Sequence, residues 1–543
     1  MLTVNNLSIQ FGKRVLFDEV NLKFTKGNCY GVIGANGAGK STFIKILSGE
    51  LTQTSGSIDL EQGARMSVLS QNHNAFDEFS VLETVMMGHE HLYEIMKAKD
   101  AIYAKDPFTE EDGIKAGDLE AEFADMDGWN AESDASLLLS NLGIHKEMEP
   151  IMMSSLPEND KVRVLLAQAI FGNPDVLLLD EPTNHLDVAT ISWLENFLAD
   201  YKNTVIVVSH DRHFLDAVCT QVVDIDFGKI QMFTGNYSFW YESSQLLLAQ
   251  RANKNKKSEE KIKELKDFIA RFSANASKSK QATSRKKALD KINVEDMKAS
   301  MRKYPAIFMI PERELGNQVI EVKDLSYVTP EGETLFKDVT FLLDKGEKVG
   351  LLTKNSRAMD AFFEIIDGKL EATSGTVKWG VTVTKAYLPH NNDKFFEDND
   401  DSLIDWLRQY STNKEEAYVR GFLGKMLFTG EETLKSVKVL SGGEKVRCMV
   451  SRLMLQNANV LLLNEPTAHL DLESIQAFNN GVKSTKANVL LSTQDHSFLQ
   501  SIVNRIIEFG PKGMIDKQYT TYDEYLEDES IKERRLSFNF IEA

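Results

Sequence analysis

At 543 residues the chain is too long for one hydrophobic core, and ordinary domain sizes suggest roughly three or four units. A hydrophobic content of 42% fits soluble globular domains, and no apolar window reaches the roughly 18 to 20 residues that cross a bilayer, so a cytoplasmic protein without a membrane domain is expected. The net charge of −19 excludes a surface that is basic throughout, and three widely spaced cysteines, Cys29, Cys219 and Cys448, suggest neither a disulfide framework nor a zinc site and are expected to be reduced and mostly buried.

The first strong signal in chain order is "GVIGANGAGKSTFIKILSG" (31–49). Gly34, Gly37, Gly39, Lys40 and Ser41 satisfy GxxxxGK[ST] between a strand-like "YGVI" and a helix-like "TFIKIL", the context a phosphate-binding loop requires. Glycines let backbone N–H groups close around phosphate oxygens, helped by the positive end of the following helix. The stretch Gly34 to Thr42, Asn36 included, is therefore the candidate ATP cradle, with Lys40 on the β and γ phosphates and Ser41 on Mg²⁺. Upstream, Phe11 is placed either to stack on the adenine or to serve as a core aromatic at a strand end. Downstream, Gln71 in "VLSQN" is a candidate sensor of the metal or of water, although a glutamine in a loop is a weak signal by itself.

Next comes an acidic region of helical character, about 84–131, and then "VLLLDEP". The latter reads as a strand buried on both faces that delivers Asp180 to the magnesium shell and Glu181 to the attacking water, where a carboxylate acts as general base. Ser209, His210 and Asp211 follow the buried strand "VIVV" and place an imidazole near the γ-phosphate. A lone histidine is ordinarily structural, but this one follows the other two motifs.

Residues 246–305 are nearly free of Gly and Pro, with apolar positions at helical spacing on either side of the polar run "SANASKSKQATS", which predicts two helices folded back on each other. From Arg251 to Lys303 there are 17 Lys and Arg against 7 Asp and Glu, a local excess of +10 in an acidic protein. Lys278, Lys280, Arg285, Lys286 and Lys287 gather near the expected tip. A solvated charged face is the bland explanation of such a run. Segregation this sharp favours contact with a phosphate backbone.

The rest of the chain repeats the first part. "NPDVLLLDEPTNHLD" (173–187) returns as "NANVLLLNEPTAHLD" (457–471) at an offset of 284, whereas the loop at 31–49 returns as "GLLTKNSRAMDAFFEIIDG" (350–368) at an offset of 319. The difference of 35 residues is assigned to the acidic region of the first copy. The second loop has lost its chemistry: Met359 stands where Lys40 stands, Asp360 where Ser41 stands, and Thr353, Ser356 and Ala358 replace the three glycines. Losing a cation and gaining a carboxylate turns attraction for a polyphosphate into repulsion. Asn464 replaces Asp180, Gln494 replaces His210 and His390 replaces Gln71, while Glu465 remains.

With "LSGGEKVR" (440–447) beside these motifs, the chain resembles the ATP-binding cassette superfamily, and its twin cassettes and basic linker resemble the ABC-F family of ribosome-associated ATPases, in particular the YbiT-like branch. The resemblance covers nearly the whole chain. It implies an α/β fold of two tandem P-loop ATPase domains: a first at 1–245 with a helical arm at about 84–131, a basic helical hairpin at 246–305, a second at 306–528 and a tail at 529–543. It further implies that each ATP lies between the loop of one cassette and the LSGG signature of the other.

One composite site then combines the first loop, Gln71, Asp180, Glu181 and His210 with Ser441, Gly442, Gly443 and Glu444, all of the expected types. The other combines the degraded loop with "LPENDKVR" (156–163), in which Pro157, Glu158 and Asn159 replace Ser, Gly and Gly. Losses on two distant segments converge on one site, which leaves one hydrolytic site and one degenerate site. The implied partners are the 70S ribosome, tRNA and rRNA near the exit site, with no membrane and no transmembrane subunit. The arm's acidity departs from simple RNA binding and suits basic ribosomal proteins instead. A nucleotide-gated adaptor that binds a protein or nucleic acid without turnover stays open as the alternative.

Overall fold

The structure, a computed structural model, describes residues 1–272 and 302–540, except positions 13, 36, 71, 107, 184, 185, 187 and 398 and the side chains at 14, 188, 189, 248, 249, 251–259, 266 and 268–272. Two units emerge, Met1–Arg302 and Lys303–Ala543. No helix among the described residues is long and apolar enough to cross a membrane. All three cysteines are free and buried.

The first unit runs β1 (Leu2–Phe11), β2 (Arg14–Phe24), β3 (Cys29–Gly34), α1 (Lys40–Leu47), β4 (Ser55–Leu60), β5 (Met66–Val68), α2 (Val81–Met86), α3 (Glu90–Tyr103), α4 (Glu110–Asp125), α5 (Ala131–Asn141) and α6 (Glu158–Ile170). It continues through β6 (Val176–Asp180), α7 (Val188–Ala199), β7 (Thr204–Val208), α8 (Arg212–Val218), β8 (Gln221–Asp226), β9 (Lys229–Thr234) and α9 (Tyr237–Phe272). The continuously apolar strands β3, β6 and β7 form the centre of a six-stranded sheet, order β5-β6-β7-β3-β8-β9, parallel except for β9. Burial on both faces is what such unbroken runs require. The alternating strands form a separate antiparallel sheet, β2-β1-β4. Helix α1 packs into the core between these layers, where Phe43 meets Phe17 edge to face at 5.9 Å.

The second unit repeats the plan with β10 (Gln318–Val328), β11 (Thr334–Asp344), β12 (Lys348–Leu352), α10 (Ser356–Asp367), β13 (Ser374–Trp379), β14 (Lys385–Leu388), α11 (Leu403–Arg408), α12 (Glu416–Lys425) and α13 (Gly442–Gln456). There follow β15 (Val460–Asn464), α14 (Leu472–Ser484), β16 (Asn488–Ser492), α15 (His496–Ile502), β17 (Arg505–Gly510), β18 (Gly513–Gln518), α16 (Tyr522–Glu527) and α17 (Glu529–Ser537). Its sheets are ordered β14-β15-β16-β12-β17-β18 and β11-β10-β13. At the loop offset of 319, Phe336 and Phe362 stand for Phe17 and Phe43 and meet at the same 5.9 Å. Core packing is kept in the copy whose loop sequence has changed.

Between α2 and α5 the first unit carries the helix pair α3 and α4, whereas the second passes directly from α11 to α12. The pair is fastened by Lys99, which donates to Glu120 at 2.8 Å and lies 3.7 Å from the Phe123 ring centre and 4.5 Å from that of Trp129. Helix α9 begins on the cassette at Tyr237 and runs 36 residues through the first half of the linker. The expected hairpin tip, with Lys278, Lys280, Arg285, Lys286 and Lys287, lies outside the described residues.

The terminal residues fold onto the second sheet. Arg535 of α17 donates from Nε at 2.8 Å and from Nη2 at 3.2 Å to the carboxylate of Glu508, a buried residue of β17 that also accepts from the Tyr525 hydroxyl at 2.7 Å. Phe540 is buried in the same core. Removing the cation strands a carboxylate in the interior, so Arg535→Ala is expected to cost about 3 to 5 kcal/mol, read as a lower urea midpoint for the second unit.

Candidate nucleotide site

The first phosphate loop has the geometry that its glycines suggested. Strand β3 ends at Gly34, and Gly37 and Gly39 adopt φ of 75° and 106°, the left-handed region in which side chains are strained. Gly39 is the N-cap of α1, with no side-chain hydrogen bond to the helix terminus and no acidic residue in its first turn. A helix terminus with no side-chain cap is an arrangement that suits an anion. Lys40, only 9% exposed, turns its ammonium back onto the loop and donates to the Gly34 carbonyl at 3.0 Å. Ser41 is exposed at the start of the helix.

The other candidates converge from neighbouring strand ends. Asp180 is the last residue of β6 and is buried. Glu181 follows at φ 53°, its N–H donating to the Val208 carbonyl at 2.8 Å. Its Oε1 lies 3.2 Å from His210 Nε2, and its Oε2 accepts the His210 backbone N–H at 3.2 Å. Burial, reinforced by the charge of Asp180, pushes the Glu181 carboxyl up to about 7. Asp211 caps α8 by accepting from Phe214 N–H at 3.1 Å. Phe11, at the end of β1, is 51% exposed, which removes the core-aromatic reading and leaves its ring open for stacking. Asn36 and Gln71 lie outside the described residues.

The second loop answers what its altered sequence does. Helix α10 starts at Ser356, whereas the residue equivalent to Lys40, the first of α1, is Met359. With Ser356 and Ala358 in place of left-handed glycines, the helix has wound back by three residues, close to one turn, through the space a phosphate cradle needs. Its N-terminus is closed by protein: the Asn355 side chain accepts Arg357 N–H at 2.9 Å. Met359, 4% exposed, belongs to the core around Phe336 and Phe362.

The residues that stand at the candidate metal-ligand positions in this copy hold one another. Asn464 Nδ2 donates to Asp360 Oδ1 at 2.6 Å, and His390 Nδ1 stands 3.9 Å from the same oxygen. Burial alone would raise the Asp360 carboxyl, yet contact with His390 and Asn464 holds it below its ordinary value. The sequence marked these three as replacements. Their mutual bonding is legible only once three remote segments meet.

Glu465 explains its own survival. Like Glu181 it sits at positive φ, 50°, donates its N–H to a neighbouring strand at 2.8 Å and accepts a backbone N–H, here from Gln494, at 3.2 Å. Burial pushes it too up to about 7. Carboxylates at this place therefore tie the ends of two central strands together whatever the chemistry, and an elevated pKa marks the place and not its competence.

At the signature, Ser441 caps α13 in a reciprocal box with Glu444: Ser441 N–H donates to Glu444 Oε2 at 2.9 Å, and Glu444 N–H to Ser441 Oγ at 3.4 Å. Gly443 is obligatory because a Cβ there would lie 2.7 Å from the His469 carbonyl oxygen. In the first copy the cap is Pro157, which makes no side-chain hydrogen bond to α6.

Known proteins resemble this chain along nearly its whole length. A family model described as ABC transporter matches residues 17–184 and again 336–468, and an extension model of the same description matches 223–308. The chain is 56% identical to the ABC transporter ATP-binding protein YkpA of Bacillus subtilis, over 98% of this chain and 99% of the relative. It is 42% identical to the probable ATP-binding protein YbiT of Escherichia coli O157:H7, over 98% and 100%, and 30% identical to the energy-dependent translational throttle protein EttA of Haemophilus influenzae, over 97% and 96%. Among solved structures, the archaeal ribosome recycling factor aABCE1, crystallised with a ribosomal stalk protein, aligns over 99% of both chains at a TM-score of 0.56 and 16% identity, a likeness of fold. Two ATP-binding-cassette domains in tandem, matched end to end by such relatives, place the chain in the ABC-F family of ATP-binding cassette proteins.

Proposed function

We propose that the chain is a ribosome-associated ATPase that binds and hydrolyses ATP at one site, built on the first cassette and completed by Ser441, Gly442, Gly443 and Glu444. The second site is closed by its own protein. The observation that carries this reading is the contrast at the two helix termini: left-handed glycines, a buried lysine and no side-chain cap at α1, against a wound-back first turn capped by Asn355 at α10.

In this reading Gly34 to Thr42 hold the phosphates through backbone N–H groups, and Lys40 exchanges its bond to the Gly34 carbonyl for phosphate oxygens. Phe11 stacks on the adenine. The Ser41 hydroxyl and the Asp180 carboxylate are hard oxygen donors that fit Mg²⁺, with Gln71 as a further donor, and the ion when bound neutralises charge on the β and γ phosphates. Glu181 takes the proton of the attacking water, and His210, 3.2 Å away, holds that carboxylate in place.

The partner follows from the basic linker, a strongly cationic stretch of an acidic chain, and from a relative, EttA, whose name ties it to translation. Lys278, Lys280, Arg285, Lys286 and Lys287 contact tRNA and rRNA near the exit site, while the acidic α3–α4 pair suits a basic ribosomal protein. Sedimentation with 70S ribosomes tests this. The Glu181→Gln protein with ATP is expected to pellet with ribosomes, and charge reversal at Lys278, Lys280, Arg285 and Lys286 to release it and flatten the salt dependence. Failure to co-sediment at low salt under every nucleotide condition would refute the translation reading.

A further inference from the structure

The linker leaves the first cassette on a contact to α8 and meets it again on a contact to β8. At the start of α9, Ser238 donates to the Asp216 carboxylate from its backbone N–H at 2.7 Å and from its hydroxyl at 2.5 Å. Asp216 lies on α8, which begins two residues after His210. At the other end the chain returns at Arg302, whose side chain is only 8% exposed. Its Nη2 donates to Asp224 Oδ1 at 2.6 Å, its Nη1 reaches Asp226 Oδ2 at 3.4 Å, and its guanidinium lies 4.7 Å from the ring centre of Trp240, a buried residue of α9.

Arg302 therefore touches both the outgoing helix and the cassette. Asp224 and Asp226 are two residues apart on β8, so they share one face. Strand β8 is the parallel neighbour of β3, with Asp224 beside Ile33 and Ile225 beside Gly34. The approach is close enough that a Cβ on Gly34 would lie 2.8 Å from the Ile225 carbonyl oxygen. The socket is two carboxylates and an indole, which a planar guanidinium fills by pairing and stacking together and a lysine does not. Burial raises the Asp224 carboxyl and the guanidinium opposes that rise. Without Arg302 the two carboxylates face each other with that cation gone.

We propose that Arg302 is a positioning residue that locks the return of the linker to the strand beside the phosphate loop, making the linker base a rigid extension of the first cassette. Ser238 pins the outgoing leg to the helix that follows His210. The base of the linker thus belongs to the cassette whose phosphate loop keeps its glycines and lysine, and this rests on the proposed function, in which ATP is bound at that loop.

Spin labels test the clamp in the full-length chain, because the three native cysteines are buried. One pair, Thr52→Cys with Lys261→Cys, lies within the first unit, and a second, Lys261→Cys with Lys378→Cys, spans the two units. In a Glu181→Gln background the first distance is expected to be narrowly distributed and unchanged by ATP, and the second to shift on ATP addition. Arg302→Ala should broaden the first distribution at least about twofold and abolish the shift in the second. Arg302→Asp combined with Asp224→Arg should restore both. A first distribution as narrow in Arg302→Ala as in its parent overturns the clamp, and so does loss of ATP binding in that variant, which would assign Arg302 to folding. If the second distance ignores ATP in the parent, ATP bound at the first loop does not move the linker against the second unit, while the first pair still decides the clamp.

Discussion

Glu181→Gln is expected to bind ATP as the wild type does but to turn it over at least about 100-fold more slowly, whereas Glu465→Gln should stay within about twofold of wild type. The asymmetry is the informative part, because the two carboxylates are near twins. Both sit at positive φ just past a buried strand, both accept a backbone N–H at 3.2 Å, and both are pushed up to about 7 by burial. Glutamine keeps the accepting oxygen in either place, so neither substitution breaks the tie between strands. What differs is the company: Glu181 has His210 at 3.2 Å and Asp180 beside it, while Glu465 has Gln494 and Asn464. Single-turnover hydrolysis on purified protein measures the contrast. Equal rates for wild type and Glu181→Gln would end the catalytic claim and leave ATP as a clamp that stabilises one conformation.

Wild-type protein is expected to bind one nucleotide per chain, and exchanging the residues at the two loop positions should not be reciprocal. Lys40→Met removes the only lysine between Gly34 and Thr42 and should weaken ATP binding by roughly one to two orders of magnitude, the usual worth of a charge-assisted bond. Met359→Lys should create no second site. The cradle there is occupied by a helical turn capped by Asn355, so an added ammonium finds no nest of N–H groups beside it. It is instead forced among Phe336, Phe362 and the rest of that core at a cost of about 2 kcal/mol or more. Titration with a fluorescent ATP analogue gives the stoichiometry, and urea unfolding gives the cost. A second equivalent bound by Met359→Lys would show that the loss lies in one side chain and not in the backbone around it.

Much of the site was legible before the fold. Phosphate binding demands glycines, a lysine and a hydroxyl at set intervals between a strand and a helix, and the carboxylates and histidine must end the neighbouring strands, so Gly34, Lys40, Ser41, Asp180, Glu181 and His210 declare themselves by spacing. The same spacing exposed the second loop as a ruin. It did not show how the ruin is filled. The backward winding of α10, the bond between Asp360 and Asn464, and the packing of Arg535 on Glu508 each join segments whose meeting leaves no periodic trace in the chain.

Phe11 shows the divide at a single residue. Adenine platform and core aromatic are equally compatible with a phenylalanine at a strand end, and only its exposure separates them. Arg302 shows it again: in the sequence it is one of 17 cations in the linker count, and in the fold it is held by two aspartates and a tryptophan. The sequence by itself determined the tandem plan and the difference between the two loops, because repeats and phosphate-binding motifs are written in local spacing. Tertiary structure alone decided what fills the altered loop and which groups hold Arg302, because desolvated pairs acquire their meaning only when distant residues are buried against each other.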